Sequence, residues 1–388
     1  MNDKVKVLSL ITGLQTGGAE MMLFQTVTHL NRERYESVVV SLESNGKLTG
    51  RLREQGIKVY ELGFKKKNPL HWLRLFRVLA LLLKEKPQIV HAYMFHADII
   101  ARVMGKLAGI PVIISSIRNE NIGGRMRERM LGMTKRFADC VTAVCRSAGE
   151  RQVRQGAVGA DQLTVIYNGV DMSRFETHAH EDPAAIRREL GVPEHHFVYM
   201  TVGRMAQQKN HLQLIDSFAE VQKRHPDTTL LIIGDGPLRG EIMAKIKEKG
   251  LEGHVRCPGL RTDVPRLLRG ADAFVLGSLW EGFPNVVIEA MASELPVVAT
   301  RTGGVAEVVE EPGSGFIVEP GVTDEMTKAL SALIAMDKPA REKMGRYAKN
   351  IVTTRFTLER TLEQTDELYR SLLQRKGVVP LYERTPAG

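Results

Sequence analysis

Short apolar runs recur along the chain, each closed by glycine or polar residues and followed by a helical pattern. In the first half they predict strands at Lys4–Ile11, Ser37–Leu42, Ile57–Leu62, Gln88–Ala92, Pro111–Ile117, Val141–Val144 and Leu163–Tyr167. The alternation restarts with Phe197–Gly203, Thr229–Gly234, His254–Pro258, Ala273–Leu276, Pro296–Thr300 and Phe316–Val318. Runs of this kind, apolar on both faces and separated by helices, belong to parallel sheets covered on both sides. The expected fold class is therefore α/β: two doubly wound, Rossmann-like domains facing each other across a cleft. The Asn-Gly turn in Tyr167–Asp171 and the polar stretch 176–183 read as the junction. This divides the chain into 1–172, 173–354 and a C-terminal part 355–388. Its charged helix, read over Arg341–Gln374, is expected to return to the first domain.

Two helical segments stand apart. Leu70–Glu85 is strongly apolar, carries Trp72 and Phe76, and reads best as a buried crossover helix with basic ends. Ile122–Phe137 interleaves Arg125, Arg127, Arg129, Lys135 and Arg136 with methionines and leucines. That is the pattern of a helix lying on a surface, and Lys65-Lys66-Lys67 extends the patch; a solvated basic face fits nearly as well. Charge supports the distinction. The net +9 is confined to residues 1–172, which hold 26 Lys and Arg against 15 Asp and Glu, whereas the remainder holds 28 against 30. An anionic membrane surface suits this half better than nucleic acid, for which no binding motif appears. No apolar stretch reaches spanning length, and the N-terminus has no signal-peptide pattern, so a cytoplasmic protein is expected, peripheral on the inner face of the membrane. Three cysteines, Cys140, Cys145 and Cys257, in apolar segments argue against a disulfide framework or a cysteine metal site.

Candidate chemistry lies where strands end. Gly13, Gly17 and Gly18 follow the first strand, but their spacing does not match a dinucleotide fingerprint. Gly17-Gly18 lets a backbone come close to something, or simply makes a tight turn. Gly203-Arg204 ends a strand and Lys209-Asn210 opens the next helix, placing two cations at an α/β edge. Gly234-Asp235-Gly236-Pro237 reads as a structural turn, and Gly303-Gly304 as a second close-approach loop followed by Glu307. Of two histidines near the end of strand Gln88–Ala92, His96, close to Asp98, is the better candidate than His91. In residues 277–307, Pro284 sits where a helix begins, Glu281 precedes it and Glu289 follows within it. That helix end would face an anion. No D-x-D pair occurs, so charge neutralisation is expected from Arg204, Lys209 and backbone dipoles, with neither a metal nor a cofactor.

The ordered set Gly17–Glu20, Tyr167–Asp171, Gly203-Arg204 with Lys209, Gly234–Pro237, Glu281–Glu289, and Gly303-Gly304 with Glu307 resembles family 4 retaining glycosyltransferases of the GT-B fold. The likeness runs through nearly the whole chain. It implies a hexosyl-type glycosyltransferase acting on a nucleotide-sugar donor, UDP- or GDP-linked, and a glycan or lipid-linked acceptor. It further implies that Glu281 holds donor-sugar hydroxyls and that Gly282, Phe283 and Pro284 lie along the sugar. Asn285 and the following N–H, that of Val286, would meet the diphosphate, and Glu289 the ribose. Arg204, beside Gly203, and Lys209 would stabilise the leaving diphosphate. Gly17 and Gly18 would approach the phosphates, His96 would lie near the reacting sugar, and Leu260 in Gly259–Arg261 near the base. An epimerase or phosphorylase of the same architecture, or a non-catalytic nucleotide-sugar sensor, are the alternatives.

Overall fold

Every strand expected from the apolar runs forms, and the strands pair in parallel throughout. The computed structural model describes residues 4–64 and 75–378. The first sheet contains β1 (Val5–Ile11), β2 (Tyr35–Ser41), β3 (Lys58–Glu61), β4 (Ile89–Tyr93), β5 (Val112–Ile117), β6 (Cys140–Ala143) and β7 (Leu163–Val165), in the order β3-β2-β1-β4-β5-β6-β7. The second contains β8 (Phe197–Val202), β9 (Thr228–Ile233), β10 (Val255–Gly259), β11 (Ala273–Leu276), β12 (Val297–Thr300) and β13 (Gly315–Val318), in the order β10-β9-β8-β11-β12-β13. Val5 pairs with Tyr35 and Val7 with Ile89, so β1 lies inside the sheet, as its mostly buried residues require.

Each sheet reverses its strand order at one place. In the first the reversal lies between β1 and β4, and in the second between β8 and β11. Loops leaving such neighbouring strands diverge at their C-terminal ends, and the gap they leave is where α/β proteins hold ligands. The residues singled out by the sequence, Gly17, His96, Arg204, Lys209 and Glu281, all follow one of these four strands.

The chain divides into two compact units, with the division at Asn168/Gly169 and again at Leu358/Glu359. Residues 176–183, read from sequence as a linker, belong instead to the second unit's structure. Helices Ser173–Glu176 and Pro183–Glu189 flank them, Asp182 caps the latter through the Ala184 and Ala185 N–H groups, and Ile186 is fully buried. The single helix expected over Arg341–Gln374 is two, Lys338–Arg355 and Leu358–Arg375. The break at Phe356-Thr357 serves a pairing. Val170 N–H donates to Phe356 O at 2.8 Å and Leu358 N–H to Val170 O at 2.9 Å. A Cβ on Gly169 would lie 2.0 Å from Thr357 O, so only glycine fits beneath this crossing. Beyond it the last helix packs Leu368, Tyr369, Leu372 and Leu373 against Val5, Val7, Ile89 and Val112 of the first sheet.

The basic segment forms helix Arg125–Thr134 and a 3₁₀ turn Lys135–Phe137. Leu131 and Glu128 face inward, while Met126, Met130 and Met133 form an exposed stripe. Arg125, Arg129, Lys135 and Arg136 are exposed beside it. Arg127 is not part of that outer face: it lies 5.0 Å over the Phe95 ring and donates to Ile122 O. The apolar crossover helix is described over Leu75–Glu85, with Phe76 and Leu83 exposed; Trp72 and Lys65-Lys66-Lys67 lie outside the described residues. No helix among the described residues is long and apolar enough to cross a membrane.

Candidate active site

In the second unit the loops after β8 and β11 are laced together. Lys209 closes a 3₁₀ turn (Gln207–Lys209), and Asn210 takes a left-handed conformation (φ 50°) before helix His211–Arg224. Lys209 therefore precedes the helix rather than opening it. Its stem runs along Gly203, where a Cβ would sit 3.1 Å from Lys209 Cε. Gln208 O accepts from Leu279 N–H at 2.8 Å, and Gln208 Nε2 donates to Trp280 O at 2.9 Å. From the other side of the gap, Glu281 Oε1 receives Lys209 Nζ at 2.6 Å and Ser278 Oγ at 2.7 Å. Gln208 Nε2 reaches Glu281 Oε2 at 3.3 Å. The side chains of the ion pair are only 16% and 8% exposed.

This pairing changes the charge expected of the site. Lys209 is balanced by Glu281, so the pair brings no net charge to a diphosphate. Arg204 is exposed and has no ion-pair partner among the described residues, and it carries the net positive charge here. The helix start also differs from expectation. Pro284 is the N-cap of helix Asn285–Ala292 rather than its first residue. Asn285 N–H is already used, donating to Phe283 O at 3.0 Å. The Val286 N–H has no partner among the described residues, so it, not the Asn285 N–H, is the donor left for an anion.

The Gly303-Gly304 loop has a definite object. Gly303 adopts φ 51°, and a Cβ there would meet Gly282 O at 2.2 Å; Gly304 N–H donates to the same carbonyl at 2.8 Å. The glycine pair thus fixes the backbone that carries Glu281, with Phe283 buried against Phe356 at 5.6 Å. Gly234 does the same beneath β8, where a Cβ would fall 2.0 Å from Gly203 O. Glu289 lies one helical stretch on. Burial pushes its carboxyl pKa up, opposed by Arg174, whose Nη1 is 3.9 Å away. Leu260 follows Gly259 (φ 83°) after β10 and is 62% exposed. The neighbouring Arg261 is held by Asp263 and Glu189.

In the first unit, Gly17 caps helix Gly18–His29, and the Glu20 carboxylate folds back to 2.5 Å from where a Gly17 Cβ would be. Burial raises the Glu20 pKa, and its own backbone N–H and Arg118 oppose the rise. His96 stands in the first turn of helix Phe95–Leu107, half-buried, 5.3 Å from the Phe95 ring. The N-cap Met94 has φ 73° and ψ 153°, a conformation rare for any side chain but glycine, at the turn that presents His96. Asp98 is buried in the fold. It accepts from Ser116 N–H, and burial pushes it up to about 7 against the pull of Arg102. His91 is likewise structural, held between Tyr369 Oη at 2.8 Å and Ser116 Oγ at 2.7 Å.

Ser278, Gln208, Arg174 and Arg118 were not singled out by sequence reasoning. Arg118 had a usable signal, since it directly follows β5 just as Arg204 follows β8 closely. Two features lie at the other, N-terminal edge of the second sheet. One is a hollow of about 590 Å³ lined by Arg187, Asp272 and Arg341 among others. The other is a group of His195, His196 and Asp227 whose ligand atoms lie within 4.8 Å, a cluster invisible in sequence spacing.

Comparison with known proteins bears on this arrangement. A family profile described as glycosyl transferases group 1 matches residues 182–351, and one described as glycosyltransferase family 4 matches residues 16–174. The chain is 26% identical over 306 residues to the Escherichia coli UDP-Gal:alpha-D-GlcNAc-diphosphoundecaprenol alpha-1,3-galactosyltransferase, covering 76% of this chain and 78% of that one. It superposes on Anabaena HepE in complex with UDP-glucose with a TM-score of 0.84 at 25% identity, over 94% of this chain and 99% of that one. A glycosyltransferase from Rickettsia africae gives 0.84 at 20% identity, over 96% and 99%, a likeness of fold. The two profiles between them cover most of both units, and with these relatives they show that the chain belongs to glycosyltransferase family 4, as an enzyme of the GT-B fold that uses a nucleotide-sugar donor.

Proposed function

We propose that the chain transfers a hexose, with retention of configuration, from a UDP- or GDP-sugar to a glycan or lipid-linked acceptor in the synthesis of a cell-surface or exopolysaccharide glycan. In this reading the unit Gly169–Leu358 holds the donor and the other unit takes the acceptor. The observation that carries it is the Lys209–Glu281 pair spanning the β8/β11 gap, on the same loops as an exposed Arg204 and a helix start whose Val286 N–H has no partner among the described residues. Such a set offers polyol acceptors and phosphate donors within one loop system. HepE binds UDP-glucose, which favours a uridine nucleotide. The named acceptor of the E. coli relative, a sugar on diphosphoundecaprenol, favours a membrane-borne one.

Transfer proceeds on one face of the sugar. The acceptor hydroxyl oxygen bonds to C1, the C1–O bond to the diphosphate breaks, and the acceptor proton passes to the departing phosphate oxygen. Arg204 and the Val286 N–H stabilise the charge that builds there, Lys209 orients Glu281 on the sugar hydroxyls, and Glu289 meets the ribose. No divalent metal is required in this scheme. His96 is assigned to the reacting sugar, Gly17-Gly18 to the phosphates and Leu260 to the base.

A panel of UDP- and GDP-sugars tests this by thermal shift and by turnover with a membrane extract as acceptor. One donor should raise the melting temperature and be consumed only when extract is present; a panel with neither effect removes the reading. Membrane contact is assigned to the Met126–Met130–Met133 stripe with Arg125 and Arg129. The double change R125E/R129E should lower binding to anionic liposomes, and unchanged binding would refute that face.

A further inference from the structure

We propose that Arg118 forms an oxyanion-binding site in the first unit, built to take a phosphoryl or carboxyl group of the acceptor substrate. The inference rests on the acceptor role given to this unit above, and its experiment separates the two.

Arg118 follows β5 immediately, at the C-terminal edge of the sheet and one strand from the β1/β4 reversal. Its side chain is half-buried and its Nε is fully enclosed with no hydrogen-bond partner among the described residues. Among the described residues its one hydrogen bond is Nη2 donating to the Asn168 side-chain oxygen at 3.0 Å, a neutral acceptor. No carboxylate lies within ion-pair distance of it among the described residues. The ionisable groups around it are Glu20, Tyr93, His91 and Cys145; of these Glu20 acts on it through space but makes no ion pair with it. Tyr93 is held protonated by burial, its pKa pushed up to about 12.

A half-buried guanidinium with no carboxylate in ion-pair contact is costly, and an enclosed donor left unpaired is more costly still. Burial pushes the Arg118 pKa down to about 10, the direction that measures this cost. At the end of β1, on the same sheet edge, Thr12 Oγ1 is a second enclosed group without a partner. β4 separates the two strands that these groups follow, so the anion is assigned to Arg118, whose forked donors suit a planar or tetrahedral oxyanion. Elsewhere in the unit buried cations are satisfied: Arg102 donates to Ser115 Oγ, Leu131 O and Thr134 Oγ1. The difference marks Arg118 as a group whose partner arrives with a ligand.

The test uses calorimetric titration of the full chain, with UDP present, by decyl phosphate, decanoate and decyl glucoside below their micelle concentrations. Wild type should bind an anionic probe more tightly than decyl glucoside. R118Q should weaken anion binding by about ten- to hundredfold and bring the three probes level. R118K, keeping charge without the fork, should retain part of the preference and serves if R118Q does not fold. Tighter decyl phosphate assigns a phosphorylated acceptor, and tighter decanoate a carboxylated one. Equal binding of all three probes by wild type, or equal weakening of all three in R118Q, overturns the proposal in favour of a structural tie to Asn168. A chain that shows the Arg118-dependent preference but binds neither UDP nor GDP refutes the donor reading while leaving the anion site standing.

Discussion

Glu281 is the residue on which the donor site turns, and its replacement separates structure from catalysis. Removing one member of a buried ion pair leaves the other uncompensated, at a cost of about 3–5 kcal/mol. Lys209 keeps 16% exposure and can reach some water, so Glu281→Ala should fall near the lower end, about 3 kcal/mol. For a unit of this size that is roughly 6–12 °C of melting temperature. Glu281→Gln keeps an oxygen for Ser278 and Lys209 and should cost about 1–2 kcal/mol. It also removes the charge that balances Lys209, so UDP should bind about fivefold more tightly, ~1 kcal/mol, while transfer slows. Urea unfolding followed by tryptophan fluorescence reads the stability locally, because Trp280 adjoins Glu281 and its carbonyl accepts from Gln208. The double variant with Lys209→Ala should be less destabilised than the two single changes combined, with a coupling of about 1.5–3 kcal/mol. Additivity within about 0.5 kcal/mol would show that the 2.6 Å contact is not the source of the effect. An E281Q variant that binds UDP more weakly, with kcat intact, would remove the sugar-holding role.

Gly303→Ala places a Cβ 2.2 Å from Gly282 O at φ 51°, and should cost about 2–3 kcal/mol and weaken donor binding. Gly321→Ala, at φ 82° but with open space around it, is the control; equal losses at both sites would show that strain alone acts. His91 predicts a pH effect. Burial pushes its pKa from the ordinary 6.5 down to about 3, so the native state keeps the ring neutral where the unfolded chain takes a proton. The stability it contributes is therefore present above about 6.5 and is lost as pH falls toward 3, by up to about 1.4 kcal/mol per pH unit. Urea midpoints at pH 7 and 5 should differ less in His91→Gln than in wild type; an unchanged difference would exclude His91 as the cause.

The strands, their parallel pairing and the doubled α/β architecture were legible in the sequence, because apolar runs of period two or less and intervening helices are local signals that few folds satisfy. The places of Arg204, Lys209, Glu281 and the glycine loops along the fold were legible for the same reason, since each follows a strand closely, and Glu289 falls inside the helix that the apolar run after Pro284 predicts. Their partners were not. Lys209 and Glu281 are 72 residues apart, and only the strand order that brings β8 beside β11 lets them neutralise each other. The break at Phe356-Thr357 was hidden because both flanking segments favour helix; what interrupts them is pairing with Val170, a contact of long sequence separation. Residues 176–183 looked like a linker by composition, yet Asp182 and Ile186 acquire a cap and a core only in the folded unit. Arg118 shows the division most sharply. Its place after β5 could be read from the chain, but its enclosed Nε without a hydrogen-bond partner among the described residues is a property of the packed structure, decided by which side chains the sheet brings near and which it does not.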